Sequence, residues 1–166
     1  KKHEFQMNEF VILRTLINGS DKGWFYLVIH LESLYIFMMK RIMNSGWNQK
    51  EIEHEKHFCE NYSHRCMTKF YGFLKEKGET IGFIYEFLCN GSLKSLVEKQ
   101  PNKIDDLYKI MTIVRLFQGI EYLHINSLIH RDLKPLNILI DHDYLPYISD
   151  FDEVRHFINE EEKASN

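Results

Sequence analysis

The stretch His130-Arg131-Asp132-Leu133-Lys134-Pro135-Leu136-Asn137, with Asp150-Phe151 beginning eighteen residues after Asp132, concentrates chemistry in a short span. Two carboxylates, a carboxamide and a lysine are what phosphoryl transfer asks of a protein. One carboxylate orients the attacking hydroxyl, hard oxygens hold magnesium, and a cation sits on the phosphates. The rest of that chemistry is positioning and charge neutralisation. The bland alternative for Asp132 and Asp150 is a pair of solvated loop carboxylates.

Elements must position these groups. Residues 10–17 (FVILRTLI) and 24–31 (WFYLVIHL) are rich in β-branched and aromatic residues and flank the turn-forming Asn18-Gly19-Ser20-Asp21-Lys22-Gly23, which predicts two antiparallel strands. Residues 34–42 predict a third strand, 48–62 a polar helix carrying Ile52 and Phe58, and 67–74 and 80–88 two more strands. After Asn90-Gly91 the pattern turns helical. A short helix is expected at 92–98 and a long one at 105–124. In the long helix Leu107, Ile110, Met111, Val114, Phe117 and Ile120 recur at three- and four-residue steps, a stripe read as core. A loop from Leu128 to Asn137, a strand at Ile138–Ile140 and another near Tyr147-Ile148 follow.

The segment from His130 to Asn137 resembles the catalytic loop of eukaryotic protein kinases at every defining position, and Asp150-Phe151 resembles the magnesium-binding DFG element. Tyr85-Glu86-Phe87-Leu88 resembles the gatekeeper and hinge, Asn90-Gly91-Ser92-Leu93 a segment of tyrosine-kinase-like kinases, and Gly119 to His124 the end of the helix before the catalytic loop. The resemblance runs from about Phe10 to about Phe157. It implies an α+β, bilobal protein-kinase-like fold. Residues 10–89 would form a complete N-lobe (a five-stranded antiparallel sheet plus one helix), 90–158 a partial helical C-lobe, and 159–166 a mobile tail.

By the same resemblance Asp132 would take or orient the substrate proton, Asn137 and Asp150 would hold magnesium, and Lys134 would neutralise the γ-phosphate. A lysine at 134 resembles the Ser/Thr-directed loop. Lys40 would hold the α- and β-phosphates. Glu55 would pair with it, chosen over Glu51 and Glu53 by counting back from the Ser63-His64-Arg65-Cys66 turn. Backbone groups of Glu86 and Leu88 would bond adenine, and Gly23 is the one glycine kept of the phosphate-cradling loop.

Three departures stand out. Asn18 and Ser20 occupy two glycine positions, with Lys22 at the tip, where glycine would let backbone N–H groups reach phosphate. Asp152 stands where the DFG glycine would permit φ > 0. The sequence stops at Asn166, fourteen residues past Asp152, short of the activation segment, the APE element and the remaining C-lobe helices. Without those neighbours the stripe from Leu107 to Ile120 is expected to be exposed and to favour self-association.

Composition narrows the rest. The 166 residues are 44% hydrophobic, with 21 Lys plus Arg against 24 Asp plus Glu and a net charge of -3, which argues for a packed core and against nucleic acid as a partner. No apolar segment follows Lys1-Lys2-His3-Glu4 and none is long enough to span a bilayer, so no signal peptide and no membrane association are expected. Cys59, Cys66 and Cys89 read as reduced thiols of a cytoplasmic protein. His54, His57, Cys59, His64 and Cys66 fit no standard zinc spacing, and Asp141-x-Asp143 lacks the later ligands of a calcium loop. The sequons at Asn61 and Asn90 are expected to be idle.

The resemblance thus implies ATP- and Mg2+-dependent phosphoryl transfer to Ser/Thr hydroxyls of a protein substrate. The alternatives are a pseudokinase-like interaction module or an inactive truncated fragment. A small-molecule phosphotransferase is disfavoured by Arg131 and Lys134-Pro135.

Overall fold

The computed structural model describes residues 3–20, 23–42 and 49–157. Lys22 and the tail from Ile158 lie outside the described residues, as do the side chains of Asn18, Ser20 and Glu51. Two compact units emerge. One contains the residues up to Ser63 together with Lys69–Phe87, and the other contains His64–Thr68 and the residues from Leu88 onward.

The first unit is built on β1 (His3–Gln6), β2 (Phe10–Ser20), β3 (Gly23–His30), β4 (Ile36–Arg41), α1 (Gln49–Asn61), β5 (Phe70–Glu76) and β6 (Glu79–Glu86). The six strands form one sheet in the order β1-β5-β6-β4-β3-β2. The five expected strands pair antiparallel, and β1 adds a sixth, parallel to β5 with Phe5 opposite Leu74. Phe5 secures it by joining Phe10, Val28, Phe37, Met39, Leu74 and Ile84 in a buried cluster. Strand alternation then decides the other face. Phe37, Met39 and Ile84 point into that cluster, so Lys40, Phe83 and Tyr85 point the opposite way. On α1, Glu55, Phe58 and Cys59 are buried, the three- and four-residue spacing of one helix face.

Gly72 lets β1 lie close against β5, because a Cβ there would collide with the His3 carbonyl oxygen. Gly72→Ala should therefore lose about 1–3 kcal/mol of stability, as overpacked sites do. Urea denaturation checks this, and a change under about 0.5 kcal/mol, the range of ordinary surface substitutions, would remove β1 from the sheet.

The second unit contains α2 (Leu93–Lys99), α3 (Asp106–Ile125), β7 (Leu128–Ile129), β8 (Ile138–Ile140), β9 (Pro146–Ile148) and β10 (Arg155–His156). The Ser92 hydroxyl caps α2 by accepting from the Ser95 N–H, and the Asp105 carboxylate caps α3 by accepting from the Tyr108 N–H. Leu96, Ile138 and Ile140 form the core, flanked by Leu93, Ile104, Tyr108, Leu116 and Tyr144. The segment before β5 joins this unit through hydrogen bonds from the Thr68 N–H to the Ile148 carbonyl and from the Ile148 N–H to the Cys66 carbonyl. Asn90 is tied down inside the unit, its amide donating to the Asp141 carbonyl at 2.6 Å.

The α3 stripe corrects the sequence reading. Leu107 is 74% and Phe117 67% exposed, Ile110 and Val114 are exposed as well, and Met111 and Ile120 are only half-buried. The residues that α3 buries are Thr112, Gly119 and Leu123. The expectation of an uncovered apolar face is met.

Candidate functional site

In the first unit the Lys40 ammonium donates to both Glu55 carboxylate oxygens, at 3.0 and 2.9 Å. Lys40 is 2% and Glu55 1% exposed, and buried charges persist only when paired and hydrogen-bonded. The rings of Phe83 and Phe25 lie 5.9 and 6.0 Å from the ammonium. The Tyr85 hydroxyl donates to Glu55 Oε1 at 2.7 Å and meets Cys59 Sγ at 3.1 Å. Glu53 is exposed and makes a long ion pair with Lys56 at 3.9 Å. Of the two candidate glutamates whose side chains are described, Glu53 and Glu55, it is Glu55 that pairs with Lys40. The contacts of Tyr85 with Glu55 and Cys59 were missed at the sequence level. The signal available was that Cys59 follows Glu55 by four residues, one turn along the same helix face.

Gly23 adopts φ +107°, and a Cβ there would lie 2.5 Å from the Arg41 carbonyl oxygen. Packing of β3 on β4 is enough to require this glycine. The Glu86 N–H is committed to the Lys69 carbonyl at 2.9 Å. In the second unit, the carbonyl of buried Leu88 accepts a long bond from the Gly91 N–H at 3.4 Å.

The residues from His130 to Asn137 gather in the second unit. The Asn137 amide donates to the Asp132 carbonyl and to Asp132 Oδ2, both at 2.9 Å. With its N–H groups used in this way, Asn137 has Oδ1 to offer as a ligand. Its backbone carbonyl accepts from both the hydroxyl and the N–H of Ser149, the residue before Asp150, at 3.0 and 2.9 Å. The His130 ring closes the same frame. Nδ1 accepts the Asp132 N–H at 3.4 Å and Nε2 donates to the Ser149 carbonyl at 3.1 Å, contacts that a neutral, Nε2-protonated imidazole satisfies together. Phe151 packs edge-on against that ring at 5.9 Å. His130 and Asn137 therefore tie the Asp132 segment to the segment bearing Asp150.

Arg131 and Asp150 both take left-handed backbone, with φ 68° and 66°. Such geometry is uncommon outside glycine and clusters at functional sites. Asp152 is absent from the left-handed residues, so an Asp in the DFG-glycine position is accommodated without that strain. Its carbonyl accepts from the Arg155 guanidinium at 2.6 Å.

Lys134 reaches both Asp132 oxygens, at 2.8 and 2.7 Å. The pair is solvent-facing, 45% and 27% exposed. Such a pair contributes at most about 1 kcal/mol, so Lys134 is held on Asp132 only weakly.

Asp141, His142 and Asp143 can bring their ligand atoms within 4.8 Å. The Asp141 carboxylate is committed to a turn, accepting from the N–H groups of Asp143 and Leu145 and from the Tyr147 hydroxyl. His64 stacks on Tyr122 at 4.9 Å, and its Nδ1 accepts the Cys66 N–H at 3.3 Å. Burial, then the nearby Arg65 and Arg115 guanidiniums, hold its pKa below the ordinary 6.5, against a smaller opposing effect of Glu121. The unfolded chain therefore takes up this proton first as pH falls. The stability tied to neutral His64 is present above about pH 6.5 and is lost as pH falls toward its lower folded-state pKa. Melting temperatures of wild type and His64→Asn between neutral pH and about pH 5 should show the wild type losing more. Parallel curves would remove His64 from the pH dependence.

A protein kinase domain family model matches residues 12–166. The chain belongs to the protein kinase domain family. It is similar to mitogen-activated protein kinase kinase kinase 3 of Arabidopsis thaliana, 30% identical over 145 residues, 82% of this chain and 22% of that protein. Against the G-type lectin S-receptor-like serine/threonine-protein kinase RKS1 of Arabidopsis thaliana it is 38% identical over 164 residues, 92% of this chain and 20% of that protein. Cysteine-rich receptor-like protein kinase 27 of the same plant is 32% identical over 151 residues, 86% of this chain and 23% of that protein. The kinase chain spans about one fifth of the length of these curated relatives. Among the described residues no helix is long and apolar enough to cross a membrane.

Proposed function

We propose that this kinase chain binds ATP with magnesium and carries the phosphoryl-transfer residues of a cytoplasmic protein serine/threonine kinase. The observation that carries the reading is the Asp132–Asn137–Lys134 cluster, in which an oriented carboxylate, a carboxamide oxygen and an exchangeable cation come together. Asp132 would accept the hydroxyl proton, and Lys134 would move to the transferring phosphate. Lys40, held by Glu55, would bind the α- and β-phosphates, and the backbone of Glu86 and Leu88 would meet adenine. The donor set suits magnesium, which prefers hard oxygens and keeps several waters. Asn137 and Asp150 would hold the ion, which neutralises charge on the phosphates when bound. The substrate would be a Ser/Thr-bearing protein, and the bare face of α3 would support self-association.

The reading is tested by MgATP-dependent thermal shift. A ligand at about 100 times its Kd stabilises the folded state by about 2.7 kcal/mol, so the melting temperature should rise in wild type and not in Asp150→Ala. A folded protein that ignores millimolar MgATP would overturn it. The replaced glycine positions Asn18 and Ser20 favour a second reading, an interaction module that keeps the fold without turnover. Binding with no transfer to any protein would select it.

A further inference from the structure

Cys59, Tyr85, Glu55 and Lys40 form a continuous buried chain of polar contacts: 3.1 Å from thiol to phenol, 2.7 Å from phenol to carboxylate, and 3.0 and 2.9 Å from ammonium to carboxylate. Cys59 is 2% and Tyr85 5% exposed.

The protons in this chain have one ordering. A carboxylate paired with an ammonium only accepts, so the single hydroxyl proton of Tyr85 lies toward Glu55. The proton between sulfur and the phenol oxygen is then the thiol's, and Cys59 donates. Burial first, then the neighbouring Cys59 and the Glu55 carboxylate, hold the Tyr85 phenol well above its ordinary pKa, which keeps the phenolic proton in place.

The geometry makes Tyr85 a strut. Its ring is seated on the sheet against Phe70 at 5.5 Å and Phe83 at 6.4 Å. Its hydroxyl touches α1 at two points one turn apart, Glu55 and Cys59. Lys40 already holds Glu55, and the hydroxyl adds a second attachment one turn further along the same helix face, at Cys59.

We propose that Cys59 is a positioning residue: its thiol, acting through the Tyr85 hydroxyl, holds α1 in the rotation that presents the Glu55 carboxylate to Lys40. The functional consequence rests on the reading of Lys40 as a phosphate-binding lysine; the chain of contacts does not. Loss of the thiol donor lets the phenol and α1 shift together. Loss of the phenol removes both helix contacts at once.

The test compares wild type with Cys59→Ser, which keeps a donor, Cys59→Ala, which removes it, and Tyr85→Phe, which removes the acceptor. The S–H infrared stretch of Cys59, identified by difference against Cys59→Ala, should lie at the low wavenumber of a donating thiol and shift upward in Tyr85→Phe. Backbone amide exchange in α1 should accelerate about ten- to hundredfold in Tyr85→Phe, as expected when a hydrogen bond to a charged group is lost. It should accelerate in Cys59→Ala and return toward wild type in Cys59→Ser. An S–H band unmoved in Tyr85→Phe, or equal α1 exchange in Cys59→Ala and Cys59→Ser, would overturn the proposal. MgATP titration of the same proteins separates the two readings. If wild type binds no nucleotide while the band and the exchange behave as stated, the nucleotide reading fails and the positioning chain stands. If wild type binds, Cys59→Ala should bind more weakly than Cys59→Ser, and equal affinities would deny the thiol its effect on Lys40.

Discussion

Asp132→Asn should leave MgATP binding within about twofold of wild type and lower phosphate transfer about 10²- to 10⁴-fold, the range attributed to a positioned general base. The substitution suits the site because it is nearly isosteric. An asparagine oxygen can still accept from the Asn137 amide, which now bonds Asp132 Oδ2 at 2.9 Å, so the loop frame is kept. What is lost is the capacity to take a proton and the attraction for Lys134. That ion pair is half-exposed, so its loss should change folding stability by no more than about 1 kcal/mol. Radiolabelled γ-phosphate incorporation into a generic Ser/Thr-containing protein, alongside the thermal shift, reads both quantities. Equal transfer by wild type and variant would remove Asp132 from the reaction. A variant that unfolds would instead show that the loop depends on the carboxylate.

Lys40→Met should destabilise the protein by about 3–5 kcal/mol, because it strands a carboxylate in the interior. The Tyr85 hydroxyl would be left as a neutral donor to a 1%-exposed Glu55. For a chain of this size that corresponds to a drop in melting temperature of about 10 °C. The double variant Lys40→Met/Glu55→Leu should recover most of the loss, since replacing both members of a buried pair with apolar side chains is often neutral. Both variants should bind MgATP poorly, which separates the functional need for the pair from its stability. Urea melts of Lys40→Met, Glu55→Leu and the double give the coupling directly. A small effect of Lys40→Met together with no recovery in the double would mean that the two charges are not mutually buried.

The cluster of Asp132, Lys134 and Asn137 was legible in the sequence because its residues are neighbours along the chain. Asp132, Lys134 and Asn137 fall within six residues, and a single 3-10 turn at Pro135–Asn137 brings them together. The partner of Lys40 was legible as Glu55 only by counting back from the Ser63-His64-Arg65-Cys66 turn, with Glu51 and Glu53 close by in sequence, and the fold pairs Lys40 with Glu55. α1 singles out Glu55 because its buried face recurs at helical spacing through Glu55, Phe58 and Cys59. The α3 stripe was misread for a related reason. Periodicity tells which residues share a face, and Leu107, Ile110, Val114 and Phe117 do share one. Whether that face has a neighbour depends on the rest of the fold.

The family and the strand-rich then helix-rich order of elements were legible in the sequence, as was the grouping of Asp132, Lys134 and Asn137 along the chain, because local spacing and residue chemistry suffice for these. Only the folded structure shows the parallel pairing of β1 with β5, the buried chain of contacts from Cys59 through Tyr85 to Glu55, and the frame of His130, Asn137 and Ser149 that ties Asp132 to the Asp150 segment. Each joins residues far apart in the chain, and each is set by distances of about 3 Å between buried polar groups or by backbone close approach, quantities that composition and periodicity do not carry.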